Sequence, residues 1–194
     1  MTKSVFYVLL GESGSGKDFT ASIIGYPVVK FAATLKRRLE NHYDLPTGAL
    51  EQRSIKDLRL SHSGDSFLEI MIREYHRQQQ KYSELGWREF YQDRRNTNVK
   101  DIEFYVGHGL PIMFTDVRNT FEAELIRFLA EANWCKIIIH RLYRSNSKSL
   151  SSDKEMDKIF EILKTSEQFH DGRATEDATV EDLRDLYASS VFNP

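Results

Sequence analysis

Gly11-Glu12-Ser13-Gly14-Ser15-Gly16-Lys17-Asp18 follows the apolar run Val5-Phe6-Tyr7-Val8-Leu9-Leu10 and leads into a helical pattern running to Ile24. The order strand, glycine-rich loop, lysine, helix is the setting in which a G-x-x-x-x-G-K spacing reads as a phosphate-binding loop. Its glycines let backbone N–H groups converge on one centre, and the first turn of the following helix adds partial positive charge. Gly11, Ser13, Gly14, Ser15 and Gly16 therefore form the expected anion cradle, and Lys17 is the compact cation that reaches the outer phosphates of a nucleoside triphosphate. Position 18 departs from the common pattern: Asp18 stands where a Ser or Thr hydroxyl usually meets Mg²⁺.

The 194 residues suit a single domain with room for a substantial core. With 27 basic and 29 acidic residues the formal net charge is -2, which gives no global attraction to nucleic acid or to an anionic membrane. Small phosphorylated molecules gripped locally are the expected partners. The single cysteine, Cys135, excludes an internal disulfide and a cysteine-rich metal site, as suits a reducing compartment. The run before the loop is too short for a signal-peptide core and no stretch approaches a membrane span, so a cytoplasmic protein is expected.

Further along, Val28 to Phe31 reads as a short strand, and Ala33 to His42 as a basic helix. The polar stretch from Asp44 to Ser63 carries little assignable signal. Asp65 to Tyr82 reads as a long helix with a core stripe of Phe67, Ile70, Met71 and Tyr75. Pro111 to Thr115 is a strand ending at Asp116. Asn119 and Glu122 then form a capping box for a helix that buries Phe121, Leu125, Phe128, Leu129 and Ala132. Lys136 to His140 is another buried strand, and a serine-rich polar segment follows Arg141-Leu142-Tyr143-Arg144. Helices over Asp153 to Lys164 and Val180 to Ala188, joined by a polar link, complete the chain.

Strands alternating with helices predict an α/β fold, a parallel sheet flanked by helices on both faces, with ligands at the carboxyl ends of the strands. That edge collects the loop after Leu10, the segment after Phe31, Asp116 to Arg118, and Arg141 to Arg144. Phosphoryl transfer requires alignment and charge neutralisation more than covalent help. Asp116 and Asp18 are the candidate Mg²⁺ carboxylates, though Asp116 alone is equally a turn or helix-entry residue. Arg118 fits either a bidentate grip on an acceptor phosphate or a pairing with an acidic neighbour. Arg88, Arg94 and Arg95 flank Phe90-Tyr91-Gln92, a mixture that suits a nucleoside monophosphate or a solvated basic face.

These motifs, in this order, resemble the deoxynucleoside monophosphate kinases of the bacteriophage type, within the P-loop nucleoside monophosphate kinases. The resemblance is carried by Gly14-Ser15-Gly16-Lys17-Asp18, by Lys30-Phe31-Ala32-Ala33-Thr34-Leu35-Lys36, by Arg88-Glu89-Phe90-Tyr91-Gln92, and by Thr115-Asp116-Val117-Arg118 with Glu122-Ala123-Glu124. It implies a P-loop kinase fold over residues 1–194 with a helical acceptor-binding insertion near 33–105 and a short lid at 141–153. It implies ATP and Mg²⁺ as donor and metal, and transfer of the γ-phosphoryl group to a deoxynucleoside 5′-monophosphate. Phe31, Lys36, Arg88, Gln92, Arg95 and Arg118 become acceptor-side candidates, and Lys17, Arg118, Arg141 and Arg144 the charge-neutralising set. Small-molecule nucleotides are then the partners, with nucleic acid and membrane excluded and a homodimer left open. The family's Gly-Thr pair after the Arg-Glu-Leu-Leu-Gln helix is replaced by Asp93-Arg94-Arg95-Asn96. Two alternatives remain: a small-metabolite kinase of the phosphomevalonate kinase type, whose loop similarly ends in Gly-Lys-Asp-Phe, and a non-catalytic ATP-binding module.

Overall fold

The structure, a computed structural model, describes residues 4–11, 15–50, 53, 55–93, 97–142, 153–164 and 169–171. Its centre is β1 (Val5–Leu10), every residue of which is buried. A strand buried on both faces feeds two cores by alternation, and β1 does so. Phe6, Val8 and Leu10 enter the larger core, while Val5, Tyr7 and Leu9 enter a smaller one with Ala21 of α1 (Lys17–Ile24).

Among the described residues five strands form one parallel sheet in the order β2-β3-β1-β4-β5, with β2 (Val28–Val29), β3 (Ile112–Phe114), β4 (Lys136–Arg141) and β5 (Phe169–Asp171). β4 runs beside the whole of β1, from Val5 opposite Lys136 to Leu10 opposite Arg141. β1 lies between β3 and β4, while the chain leaving β1 passes beyond β3 to β2. That reversal opens the crevice in which α/β sheets bind ligands. The arrangement is the expected α/β architecture of a parallel sheet flanked by helices.

Between β2 and β3 the described residues make five helices: α2 (Ala33–His42), α3 (Ile55–Ser61), α4 (Ser66–Leu85), α5 (Trp87–Gln92) and α6 (Thr97–Gly107). The first three of these share a separate apolar cluster of Leu35, Leu39, Leu50, Leu58, Leu68, Met71 and Ile72. Buried Glu40 ties the following turn to α2, accepting from Leu50 N at 2.8 Å and Gly48 N at 3.1 Å. Asp65 caps α4, accepting from Phe67 N and Leu68 N. α7 (Thr120–Ala132) and α8 (Asp153–Lys164) complete the described helices.

Several expectations need correcting. The second strand is only Val28–Val29, because the N–H groups of Phe31 and Ala32 donate to the Asp116 carboxylate rather than to a ladder. The α4 stripe is displaced: Ile70 is 55 % exposed while Leu68 and Ile72 are buried, since residues two apart on a helix point nearly opposite ways. Ala132 is exposed at the end of α7, where the helix runs off the sheet. The polar stretch 44–63 hides α3, and the link after α8 contains β5, three residues whose partner strand supplies the pattern their own sequence lacks. The predicted helix Val180 to Ala188 lies outside the described residues. Cys135 is buried, and burial pushes its thiol up to about 11.

The capping box of α7 is present, with Glu122 Oε2 accepting from Arg118 N at 2.8 Å and Asn119 N at 3.0 Å. Burial, then the neighbouring Asp116 charge, pushes the Glu122 carboxyl up to about 8 from its ordinary 4.5, against the pull of those backbone donors. A carboxyl raised this way holds a proton in the folded chain that the unfolded chain releases, so stability falls as pH rises between these two values. Urea midpoints should therefore decline from pH 5 to pH 8 in the wild type and run flatter in Glu122→Gln, which keeps an accepting oxygen without the charge. Parallel curves for the two proteins would refute this account of Glu122.

Candidate functional site

The carboxyl end of β1 passes directly into the glycine loop. A Cβ built on Gly11 would lie 2.4 Å from the Leu142 carbonyl oxygen and 2.6 Å from Ser15 Oγ, so only glycine lets the loop close against the end of β4. Leu142 N donates to Leu10 O at 2.7 Å and fixes that approach. Gly16 holds a left-handed conformation, φ 92°, at the N-cap of α1, and no atom lies within 4 Å of a Cβ built there. Lys17 folds back over the loop: its Nζ donates to Gly11 O at 2.5 Å and to Ser15 Oγ at 3.3 Å. The ammonium and the helix N-terminus set positive charge beside the open side of Gly16, the chemistry that anion binding requires. Glu12, Ser13 and Gly14 lie outside the described residues. Gly11→Ala should lower both ATP affinity and stability, the latter by roughly 1–3 kcal/mol, the scale of an overpacked contact. Calorimetry of nucleotide binding and unfolding would check it, and wild-type values for both would show that the loop does not need this approach.

Asp18 faces away from the loop toward the neighbouring strand ends. Lys30 Nζ sits 2.8 Å from its Oδ1, and Thr115 Oγ1 donates to the same oxygen at 3.0 Å. Burial pushes the Asp18 carboxyl up, but Lys30, Thr115 and Lys36 outweigh it and hold the group below its usual range. Both contacts among the described residues fall on Oδ1.

Asp116 joins the ends of β2 and β3: its Oδ1 accepts from Phe31 N at 2.8 Å and its Oδ2 from Ala32 N at 3.0 Å. As a residue it is only partly shielded from solvent, yet protein packed around the carboxyl pushes it up from its ordinary range. The backbone donors, then Arg118 and Lys36, oppose that rise. The buried Lys36 on α2 is thus felt by both carboxylates. Arg118 projects into solvent, and its charge reaches Asp116 and Tyr75.

Beside these strand ends lies a cavity of about 420 Å³ between facing sides of α2 and α4. Phe31, Thr34 and Arg38 line it from one side; Tyr75, Gln79 and Tyr82 line it from the other. The wall residues recur at three- and four-residue intervals, so one face of each helix is devoted to it. Phe31 stacks on Phe114 with ring centroids 6.1 Å apart, and Asn119 Nδ2 donates to Gln79 Oε1 at 2.9 Å. Burial and the Glu122 and Asp116 charges push the Tyr75 hydroxyl well above its ordinary range, while Arg118 lowers it, so it stays a neutral donor.

The structure thus gathers Gly11, Ser15, Gly16, Lys17 and Asp18 with Asp116, Lys36 and Phe31 along one edge. It does not bring in Arg88 and Gln92, which stand on the exposed face of α5, the Arg88 guanidinium lying 5.4 Å from the Trp87 ring centre. Arg141 is held by α8, bonding Asp157 at 3.0 Å and covering the Phe160 ring at 4.1 Å. Arg95 and Arg144 lie outside the described residues, as does most of the expected lid.

Sequence reasoning missed Lys30 and Thr115 as the partners of Asp18, and it missed the α4 contribution to the cavity. The signal was there: Tyr75, Gln78, Gln79 and Tyr82 mix amides and phenols on a face that an ordinary core helix would fill with aliphatics. No group of three or more metal-ligating side chains occurs among the described residues, nor any helix there long and apolar enough to cross a membrane.

No family model matches the chain, and no curated protein does. Among solved structures, shikimate kinase from Aquifex aeolicus is similar at 10 % identity and a TM-score of 0.37, over 98 % of this chain and 100 % of that one. The fold described above stands on its own strand order and register.

Proposed function

We propose that the protein is an ATP-dependent kinase that transfers the γ-phosphoryl group to the phosphate of a deoxynucleoside 5′-monophosphate, giving the diphosphate and ADP. The observation that carries this reading is the shared sheet edge, where a lysine-bearing phosphate loop and an aromatic, amide-lined cavity are physically joined. Lys30 links the acceptor side to Asp18, and Asp116 clamps the two amides that place Phe31 in the cavity wall. A kinase needs that arrangement, because donor and acceptor phosphates must meet in line with water excluded.

In this reading Lys17 and the loop amides hold the β- and γ-phosphates, and the cavity holds the acceptor nucleoside with its phosphate toward the strand ends. An acceptor phosphate oxygen forms the new P–O bond as the bond to ADP breaks. Lys36 and Arg118 counter the charge on the incoming phosphate. Asp18 and Asp116 supply the hard oxygen donors that suit Mg²⁺, and Asp18 keeps Oδ2 clear of its contacts with Lys30 and Thr115. When bound, the ion would offset charge on the transferring phosphoryl group. Arg141 can take part only by leaving Asp157 and Phe160.

A phosphomevalonate-type acceptor carries a carboxylate and a phosphate and asks for several cations in the cavity, whereas Arg38 is the only basic residue among the described residues that line it. Aromatic and amide groups suit a base better. The test is ADP formation from ATP and Mg²⁺ with each ribo- and deoxyribonucleoside monophosphate, with phosphomevalonate, and with no acceptor. Turnover with deoxynucleotides is expected. Turnover confined to phosphomevalonate, or ATP binding without any turnover, would overturn the proposal.

A further inference from the structure

The polar groups of the cavity are not neutral among the four bases. Glu74 and Asp93 both line it, and Asp93 is engaged at Oδ2, which accepts from the Tyr82 hydroxyl at 2.6 Å. Gln78 Nε2, one turn along α4, donates to Glu74 Oε1 at 3.2 Å and steadies that carboxylate against the wall. Arg77, 3.9 Å from the same oxygen, is 81 % exposed, and a pairing that open to water leaves Glu74 available as an acceptor. Gln79 presents the complementary group: Asn119 occupies its Oε1, which leaves its amide N–H groups to donate. Arg38 adds a second donor at the exposed side of the cavity.

A carboxylate bonds best to two adjacent N–H donors. Thymine offers one ring N–H between two carbonyls, which turns acceptors toward a carboxylate. Adenine and cytosine offer an amine beside an unprotonated ring nitrogen, so half of a two-point contact is repulsive. Guanine alone places a ring N–H next to an exocyclic amine, with a carbonyl at the far end for a donor such as Gln79 or Arg38. We infer that the acceptor base is guanine, read by Glu74 through its ring N–H and exocyclic amine. This rests on the nucleotide reading above and narrows it to one base.

The test is kcat/KM with ATP for dGMP, dAMP, dCMP, dTMP and dIMP, the last being dGMP without the exocyclic amine. The wild type should prefer dGMP and lose about 10- to 100-fold on dIMP, the range for a hydrogen bond to a charged group. Glu74→Gln accepts one bond but turns an N–H against the other donor, so the dGMP-to-dIMP ratio should contract toward unity with the KM for ATP unchanged. A different base used as well as dGMP, or a ratio untouched by Glu74→Gln, would overturn the inference. Turnover of other deoxynucleotides without dGMP would sink the base assignment and leave the kinase reading intact. Silence with every monophosphate would remove both.

Discussion

Lys17→Ala is expected to lower acceptor-dependent ADP formation by about a thousandfold or more, the upper end of what removing one transition-state donor costs. The expectation follows from where the ammonium sits. It folds over the loop onto Gly11 O and Ser15 Oγ, at the centre toward which the cradle is open. An alanine leaves the cradle's shape to the backbone and removes the charge that the outer phosphates meet. Lys17→Arg should rescue little, because a planar fork does not replace a compact ammonium in a loop closed by the Leu142 carbonyl. Steady-state turnover together with thermal unfolding separates chemistry from folding: kcat should collapse with the melting temperature nearly unchanged. A variant with near-normal kcat would remove the loop from the mechanism.

Asp116→Ala should act differently, on stability and on the acceptor together. Its two oxygens accept from consecutive backbone amides, and removing them strands two N–H groups at the turn that carries Phe31 into the cavity wall. Each stranded donor costs roughly 1–3 kcal/mol where water cannot reach it, so a loss of about 2–6 kcal/mol is expected for the pair. Asp116→Asn restores one acceptor but points its own N–H groups at the other amide, and should fall between. The KM for the acceptor should rise in both variants, and kcat should fall with it, since this carboxylate is also one of the two proposed Mg²⁺ donors. Chemical denaturation and paired KM measurements check both halves. Stability within about 0.5 kcal/mol of wild type, the ordinary range for a surface change, would show that the clamp is not needed.

The phosphate loop and the strand-helix alternation were legible because they are local: a run buried on both faces and a lysine after spaced glycines announce themselves within a dozen residues. So was the capping box at Asn119 and Glu122, whose two partners lie three positions apart. Asp116 was legible as a strand-end carboxylate but not as a clamp, because its partners Phe31 and Ala32 lie more than eighty positions away. Lys30 and Thr115 were invisible for the same reason: nothing near either residue says that both converge on Asp18. β5 escaped because a three-residue edge strand takes its identity from the strand it pairs with. Arg88 and Gln92 show the opposite failure. Four residues apart they share a helix face, as the motif suggested, but α5 turns Phe90 inward and leaves that face to solvent.

The central claim is that a phosphoryl group moves from ATP to the phosphate of a nucleoside monophosphate. Phosphorus NMR of the wild-type protein with ATP, Mg²⁺ and a mixture of the four deoxynucleoside monophosphates tests it most directly, because donor and acceptor resonances are followed in one sample. Deoxynucleoside diphosphate appearing in step with ADP is the predicted result. Orthophosphate released with the monophosphates untouched, or an unchanged spectrum from protein that binds ATP, would contradict it.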